Sequence, residues 1–328
     1  MRIICRPCLP AICALLSMLL TACAADTLSG SAEAKSSGLA QNEKRSNQPP
    51  EMLVPLQMIT GGQLAARVDV NGFPVPGAMQ GFSSLVFPSA LAVRGTDLYI
   101  ADSGARKLYR FDTITQIMTI VPGVVAMNWT RMQVGTDLSL FVLDPLRVNI
   151  LHYTRGMQPL QTLGDPSVSV SLDGFVIDEG LGSIIASDRL SQRLLMFSSL
   201  GGPALPLDSA RAGEFRPLGA LARAGRTVYA IDNACFCIAV LNESGSIIER
   251  IGKGVLNQPQ ALAADRHGYI FVSDAADRSL KVFLSGELVA SVGVQKLHAT
   301  EITALAVDEN ILYIADGPGS RVLSFRIQ

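Results

Sequence analysis

The chain has 328 residues, with 27 basic and 28 acidic side chains and a formal net charge of −1, and so lacks the Lys/Arg excess with which a general nucleic-acid binder displaces counterions. Hydrophobic residues make up 48% and charged residues 17%, below the usual ~25% charged, which excludes a largely disordered chain. The length accommodates one large β domain or two ordinary ones.

Arg2 and Arg6 give the N-terminus a short positive region, and residues 9–20 form an apolar run. At about 12 residues the run is too short for a bilayer span of about 20 and suits a secretory signal. It closes on Leu20-Thr21-Ala22-Cys23, which resembles the lipobox of bacterial lipoproteins. The resemblance implies that residues 1–22 are a cleaved signal peptide and that Cys23 is acylated. Acyl chains contribute about 0.8 kcal/mol per buried methylene, and two or more of them hold a protein stably on a bilayer. In such lipoproteins an Asp after the lipidated cysteine favours the inner membrane; Ala24 in that place implies an outer-membrane anchor facing the periplasm. Residues 24–50 contain no aromatic and no β-branched apolar residue, too little apolar surface to offset chain entropy. Residues 23–50 therefore read as a lipidated flexible tether with a reach of about 30 Å.

Residues 51–328 read as one domain built from a repeat. Anchoring on Asp102, Asp144, Asp188, Asp232, Asp274 and Asp316 gives spacings of 42, 44, 44, 42 and 42 residues. Six residues after each stand Leu108, Ile150, Leu194, Ile238, Leu280 and Val322; nine after stand Phe111, Tyr153, Phe197, Leu241, Phe283 and Phe325. Three before stand Tyr99, Phe141, Ile185, Tyr229, Phe271 and Tyr313. This pattern predicts a strand, a tight polar turn and a second strand in each unit. Upstream lie stretches of small apolar residues such as Ala90-Leu91-Ala92-Val93, suited to a crowded axis, and downstream a weaker strand such as Met118-Thr119-Ile120-Val121. Four strands at this period mark a β-propeller blade, so the expected fold is all-β, with six blades of four antiparallel strands.

Tyr99-Ile100-Ala101-Asp102-Ser103-Gly104 and Tyr313-Ile314-Ala315-Asp316-Gly317 resemble the strand-to-turn consensus of NHL-repeat propellers, with a basic residue at the family's offset in Lys107, Arg193 and Arg321. Asn149, Cys237 and Ser279 replace it in the other copies. The resemblance implies the fold and leaves the activity open. The last unit reaches only its third strand before the sequence stops at residue 328. Its outer strand must come from elsewhere, and the apolar residues Leu53, Val54, Leu56, Met58, Ile59, Leu64, Val68 and Val70 predict that part of segment 52–70 completes it.

The six aspartates sit on separate blades and cannot converge on one ion; each is expected to accept N–H bonds from the turn that follows it. The blades converge at the channel mouth where the inner strands start. The aligned copies there read Ser89, Thr130, Asp173, Leu218, Gln260 and Thr303, then Ala90, Arg131, Gly174, Gly219, Ala261 and Ala304. Arg131, Asp173, Gln260, Thr130, Ser89 and Thr303 make a candidate ligand funnel, with Arg131 and Asp173 as a charged pair; the alternative is that these two charges bridge blades in a wet channel. His152, His267 and His298 fall in different layers, so no histidine metal site is expected. Cys235-Phe236-Cys237 lies in the fourth turn and is a candidate disulfide in an oxidising compartment, either a staple for an irregular turn or a redox-active or intermolecular pair.

These readings make the chain an outer-membrane lipoprotein whose propeller binds a protein partner in the cell envelope, without metal, cofactor or nucleic acid. Two alternatives stand beside it: a metal-dependent lactonase- or hydrolase-like enzyme with Asp173 and Glu301 as ligands, and a glycan or peptidoglycan binder.

Overall fold

A computed structural model describes residues 52–328 apart from 78, 145–148, 165–170, 179, 181, 199 and 208–217. The signal, the tether and Cys23 lie outside the described residues. Within them the alternation of apolar and polar positions is expressed entirely as strands, with no helix.

Three strands precede the first blade: β1 (Leu53–Ile59), β2 (Gly61–Ala65) and β3 (Met79–Ser84). The blades then follow in chain order, each running from the channel outward. The first is β4 (Pro88–Arg94), β5 (Asp97–Asp102), β6 (Lys107–Asp112) and β7 (Ile117–Ile120). The second is β8 (Arg131–Val134), β9 (Leu140–Asp144), β10 (Asn149–Tyr153) and β11 (Pro159–Leu163). The third is β12 (Leu172–Asp178), β13 (Ser183–Asp188), β14 (Arg193–Ser198) and β15 (Leu205–Pro206). The fourth is β16 (Leu218–Ala224), β17 (Thr227–Asp232), β18 (Cys237–Leu241) and β19 (Ile247–Ile251). The fifth is β20 (Pro259–Ala264), β21 (Tyr269–Asp274), β22 (Ser279–Leu284) and β23 (Glu287–Gly293). The sixth has β24 (Ala304–Asp308), β25 (Ile311–Asp316) and β26 (Arg321–Ile327).

The fourth strand of the sixth blade is β1, as the strand count required. It pairs antiparallel with β26 from Leu53↔Ile327 to Ile59↔Val322, with one register shift between Pro55 and Gln57. The Gln328 N–H donates to the Met52 carbonyl at 3.0 Å, so the two ends of the propeller meet. Leu53 and Ile59 are buried while Leu56 and Met58 face solvent, the alternation that a strand with one covered face demands.

One blade departs from four strands. β2 runs parallel to β7, pairing Gln63 with Ile117 and Leu64 with Met118, and β3 pairs antiparallel with β2, so the first sheet has six strands. Gly62 permits this close approach, because a Cβ there would lie 2.7 Å from both the Met118 side chain and the Gln116 carbonyl oxygen.

The inner strands β4, β8, β12, β16, β20 and β24 lie side by side, and β24 returns to β4. Six apolar clusters fill the six gaps between blades. Phe271, Leu280, Leu312 and Phe325 belong to the one between the fifth and sixth blades, and Leu98, Phe111, Tyr313 and Val322 to the one that joins the sixth to the first. The repeated column of Leu108, Ile150, Leu194, Ile238, Leu280 and Val322 is at most 1% exposed. Each such side chain contributes about 1.5–3 kcal/mol by leaving water. The ring is held by the same apolar positions that reveal the repeat.

Candidate functional site

The turn aspartates knit one end of the ring together. Asp102 accepts the Ala105 N–H of the following turn at 2.9 Å. It also accepts Val86 and Phe87 N–H, at 2.7 and 2.9 Å, from the segment leading into β4. Asp274 does the same with Ala276, Asn257 and Gln258, Asp316 with Gly319, Thr300 and Glu301, and Asp188 with Leu190, Ser191 and Ser171. Each of these carboxylates therefore ties a turn to the start of its own blade, one more link than the sequence suggested. Burial pushes the Asp274 carboxyl up, but the Lys281 ammonium at 2.7 Å and the two lead-in N–H groups outweigh it and hold the pKa below the usual range. The turns also share a backbone: the fourth residue after the aspartate has a positive φ, between 49° and 55°, at Arg106, Gln192, Phe236, Arg278 and Ser320.

At this end the channel opens into a cavity of only about 80 Å³, lined among others by Ser89, Arg131, Gly174, Ala220, Gln260 and Thr303. The expected alignment fits in five blades and slips in the fourth. There Leu218 pairs with Asp232 and a register shift follows before Leu221↔Ala230, which leaves Ala220 where Gly219 was expected. Several of the candidate funnel residues join blades. The Thr303 hydroxyl donates to the Pro88 carbonyl of the first blade at 2.8 Å, and the Ser89 hydroxyl donates to the Met127 carbonyl at 3.3 Å. Thr130 is fully buried, its hydroxyl accepting the Met127 N–H at 2.9 Å.

The expected Arg131–Asp173 pair is not formed. Arg131 donates to the Asn128 and Thr130 carbonyls at 3.2 and 2.9 Å, and the cation nearest Asp173 is Arg189 at 3.9 Å. Burial lowers the Arg131 pKa and raises that of Asp173, the charges of Arg189 and Arg131 opposing the latter. Asp173 and Thr130 do not line the mouth. Asp173 belongs to the third blade, whereas Glu301 lines a separate cavity of about 260 Å³ with Asp274, Arg278 and Thr300. The two carboxylates proposed as joint metal ligands do not share a site.

The opposite end of the channel is wider, a feature the sequence reading missed. A cavity of about 700 Å³ is lined there by the hairpins joining inner to second strands, including Arg94, Arg223, Arg266, Asp265, Asp308 and Glu309. Some of these charges also clamp blades. Arg223 donates to the Ile177 carbonyl at 2.8 Å and pairs with Asp178 at 3.0 Å, and Asp308 accepts the Gly95 N–H at 2.6 Å. Asp265 is buried; Oδ1 accepts the His267 and Tyr269 N–H groups, and Oδ2 has no hydrogen-bond partner. A signal did exist in the charge at the ends of the inner strands, but strand-start alignment looked away from it.

His152 stacks on Phe141 with ring centroids 3.9 Å apart, while His267 and His298 are exposed in other parts of the ring. Burial lowers the His152 pKa against the opposing charge of Asp137. Its stabilising effect is complete above the unfolded-chain value of about 6.5 and is lost as pH falls from there towards the depressed folded value, because the unfolded chain takes up a proton first. The melting temperature is expected to drop across that window, and His152→Phe, which keeps a ring against Phe141, is expected to remove that component. Superimposable calorimetric pH profiles for parent and variant would reject the assignment.

Cys235 and Cys237 form a disulfide. With Asp232 they are the one group of three candidate metal ligands, within 4.8 Å of one another, among the described residues, but both sulfurs are bonded to each other. The same end of the ring exposes large apolar side chains. Val86 and Trp129, in segments leading into β4 and β8, are 51% and 54% exposed, and Leu190 and Phe236, in the turns after Asp188 and Asp232, are 62% and 49% exposed.

No family model and no curated protein matches the chain. Solved structures match it in fold. Virginiamycin B lyase from Staphylococcus aureus is 12% identical over 74% of this chain and 85% of its own, with a TM-score of 0.53. A protein of unknown function from Bacteroides thetaiotaomicron is 13% identical over 83% and 76%, with a TM-score of 0.59. A gluconolactonase from Xanthomonas campestris is 14% identical over 86% and 99%, with a TM-score of 0.57. At these identities the likeness shows the β-propeller fold alone.

Proposed function

We propose that this chain is a lipid-anchored, NHL-like propeller of the bacterial outer membrane, acylated on Cys23, that binds a protein partner of the envelope through the face carrying the turn aspartates. The observation that carries this reading is the exposure of Val86, Trp129, Leu190 and Phe236 on four blades at that one end. Trp129 is the only tryptophan in the chain, and aromatic side chains on rigid supports dominate protein interfaces. The cavity beneath them, about 80 Å³, is far smaller than the roughly 300–1,000 Å³ of small-molecule sites, which favours recognition by surface.

The test uses the full-length lipoprotein in intact cells, with photo-crosslinking groups on this face. Trp129→Asp combined with Phe236→Asp is expected to reduce recovery of a specific cross-linked partner by about tenfold or more, with membrane fractionation unchanged. Equal recovery from the variant overturns the reading of the face, and palmitate labelling that survives Cys23→Ser overturns the anchor.

Two observations support a second reading. The opposite cavity, at about 700 Å³, lies in the size range of ligand sites, and a gluconolactonase shares the fold. Lactone hydrolysis abolished by Arg266→Ala, with the melting curve unchanged, would move the conclusion to an enzyme.

A further inference from the structure

We propose that Cys235 and Cys237 form a thiol–disulfide exchange site whose substrate is a dithiol on a partner polypeptide. This inference stands independently of the lipid anchor. It begins from a comparison among the blades. The turn that carries the pair has the same positive φ at its fourth residue as the turns at Arg106, Gln192, Arg278 and Ser320. The positions equivalent to the two cysteines are Ala105 and Lys107, Ser191 and Arg193, Asp277 and Ser279, and Gly319 and Arg321 in those four turns. Four turns hold the shape with no cross-link, so the fourth blade does not need one to fold.

A staple would also be poorly placed here. The chain-entropy gain of a disulfide grows with the loop it closes, and these cysteines are only two residues apart. The surroundings compensate for the lack of a side chain that the sixth blade's turn uses. Arg321 pairs with its turn aspartate Asp316 at 3.0 Å; Cys237 occupies the matching position, and Arg250 from β19 approaches Asp232 instead, at 3.4 Å.

Accessibility assigns the roles. Cys235 is half-buried and Cys237 fully buried, while Phe236 between them is 49% exposed and offers an apolar contact to a polypeptide. A substrate thiolate attacks Cys235 Sγ, the bond to Cys237 Sγ breaks, and Cys237 leaves as a thiolate that takes a proton from water. The substrate's second thiolate then attacks its own sulfur in the mixed disulfide, and Cys235 leaves as a thiolate. The partner dithiol is oxidised to a disulfide, and the Cys235–Cys237 pair is reduced by two electrons.

The full-length protein with reduced glutathione and then a reduced dithiol peptide provides the test, read by mass spectrometry. The pair is expected to be reduced by millimolar glutathione while the protein stays folded, and the oxidised protein to convert the peptide to its disulfide stoichiometrically. After oxidised glutathione, Cys237→Ser is expected to carry the mixed disulfide on Cys235 about tenfold faster than Cys235→Ser carries it on Cys237. The double serine variant is expected to melt within about 3 °C of the parent. A pair that stays oxidised in glutathione, or a larger fall in melting temperature of the double variant, overturns the proposal and assigns the disulfide as a staple.

Discussion

Replacing Asp97 by alanine is expected to lower the free energy of unfolding by about 3–5 kcal/mol, the cost of leaving buried charge uncompensated. Asp97 opens β5 and is 1% exposed. Arg110, 3% exposed on the neighbouring β6, donates to it through Nε and Nη2 at 3.0 and 2.8 Å. Arg155, from the turn between β10 and β11 of the second blade, adds an Nε contact at 2.9 Å. The remaining Arg110 nitrogen donates to the Gly72 carbonyl, and the Arg155 guanidinium lies 5.0 Å from the centre of the Phe73 ring. One carboxylate thus balances two guanidiniums and joins the first blade, the second blade and the segment preceding β3. Tyr99, close enough to feel these charges, is fully buried, and burial, reinforced by Asp97, pushes its hydroxyl pKa far up. Arg155→Met, which keeps the carboxylate paired with Arg110, is expected to cost only about 1 kcal/mol. Denaturant unfolding of the three proteins checks the order, and an Asp97→Ala midpoint equal to the parent's would show that the triad contributes nothing net.

A chain that starts at Thr60 is expected to lose the closed ring. Leu53 and Ile59 are 4% and 2% exposed, and truncating either to alanine alone is expected to cost about 2–5 kcal/mol. Removing all of β1 also strips the outer edge of β26, leaving the unpaired N–H and C=O groups that template association with other chains. The expected result is a melting temperature at least about 10 °C lower, with aggregation on gel filtration. A synthetic peptide spanning residues 52–60 is expected to restore part of the loss. If the shortened chain melts as the parent does, β1 is an ornament and the ring closes by other means.

The parts of this molecule that were legible in its sequence are those repeated by physical necessity. Every blade buries an aliphatic residue six positions after its aspartate, so Leu108 and Val322 announce the same environment although they stand at opposite ends of the repeat series. The missing strand was legible because the last repeat reaches only three strands where the others have four. The hairpin β2–β3 was not. Gly61, Gly62, Gly81 and Ser83 carry no alternation of apolar and polar side chains, and what places β2 is close backbone approach to β7. The candidate site was only partly legible. Alignment brought Ser89, Arg131, Gln260 and Thr303 to one mouth correctly, but adjacency in a column says nothing of distance, and Asp173 turned to Arg189 of its own blade. The Asp97–Arg110–Arg155 triad joins positions 13 and 58 residues apart and belongs to no repeat, so nothing periodic could have pointed to it.

The bond from Gln328 to Met52 has an implication for engineering. Since the first and last described residues already touch, the polypeptide's opening is a matter of bookkeeping rather than architecture. A short peptide could join 328 to 52, and a new beginning could be cut at an exposed connection such as Lys253–Gly254 between the fourth and fifth blades, leaving the apolar clusters between blades in place. In such a rearranged molecule every sheet, the sixth included, would be drawn from uninterrupted sequence, because the cut falls between two blades and the seam leaves the sheets altogether.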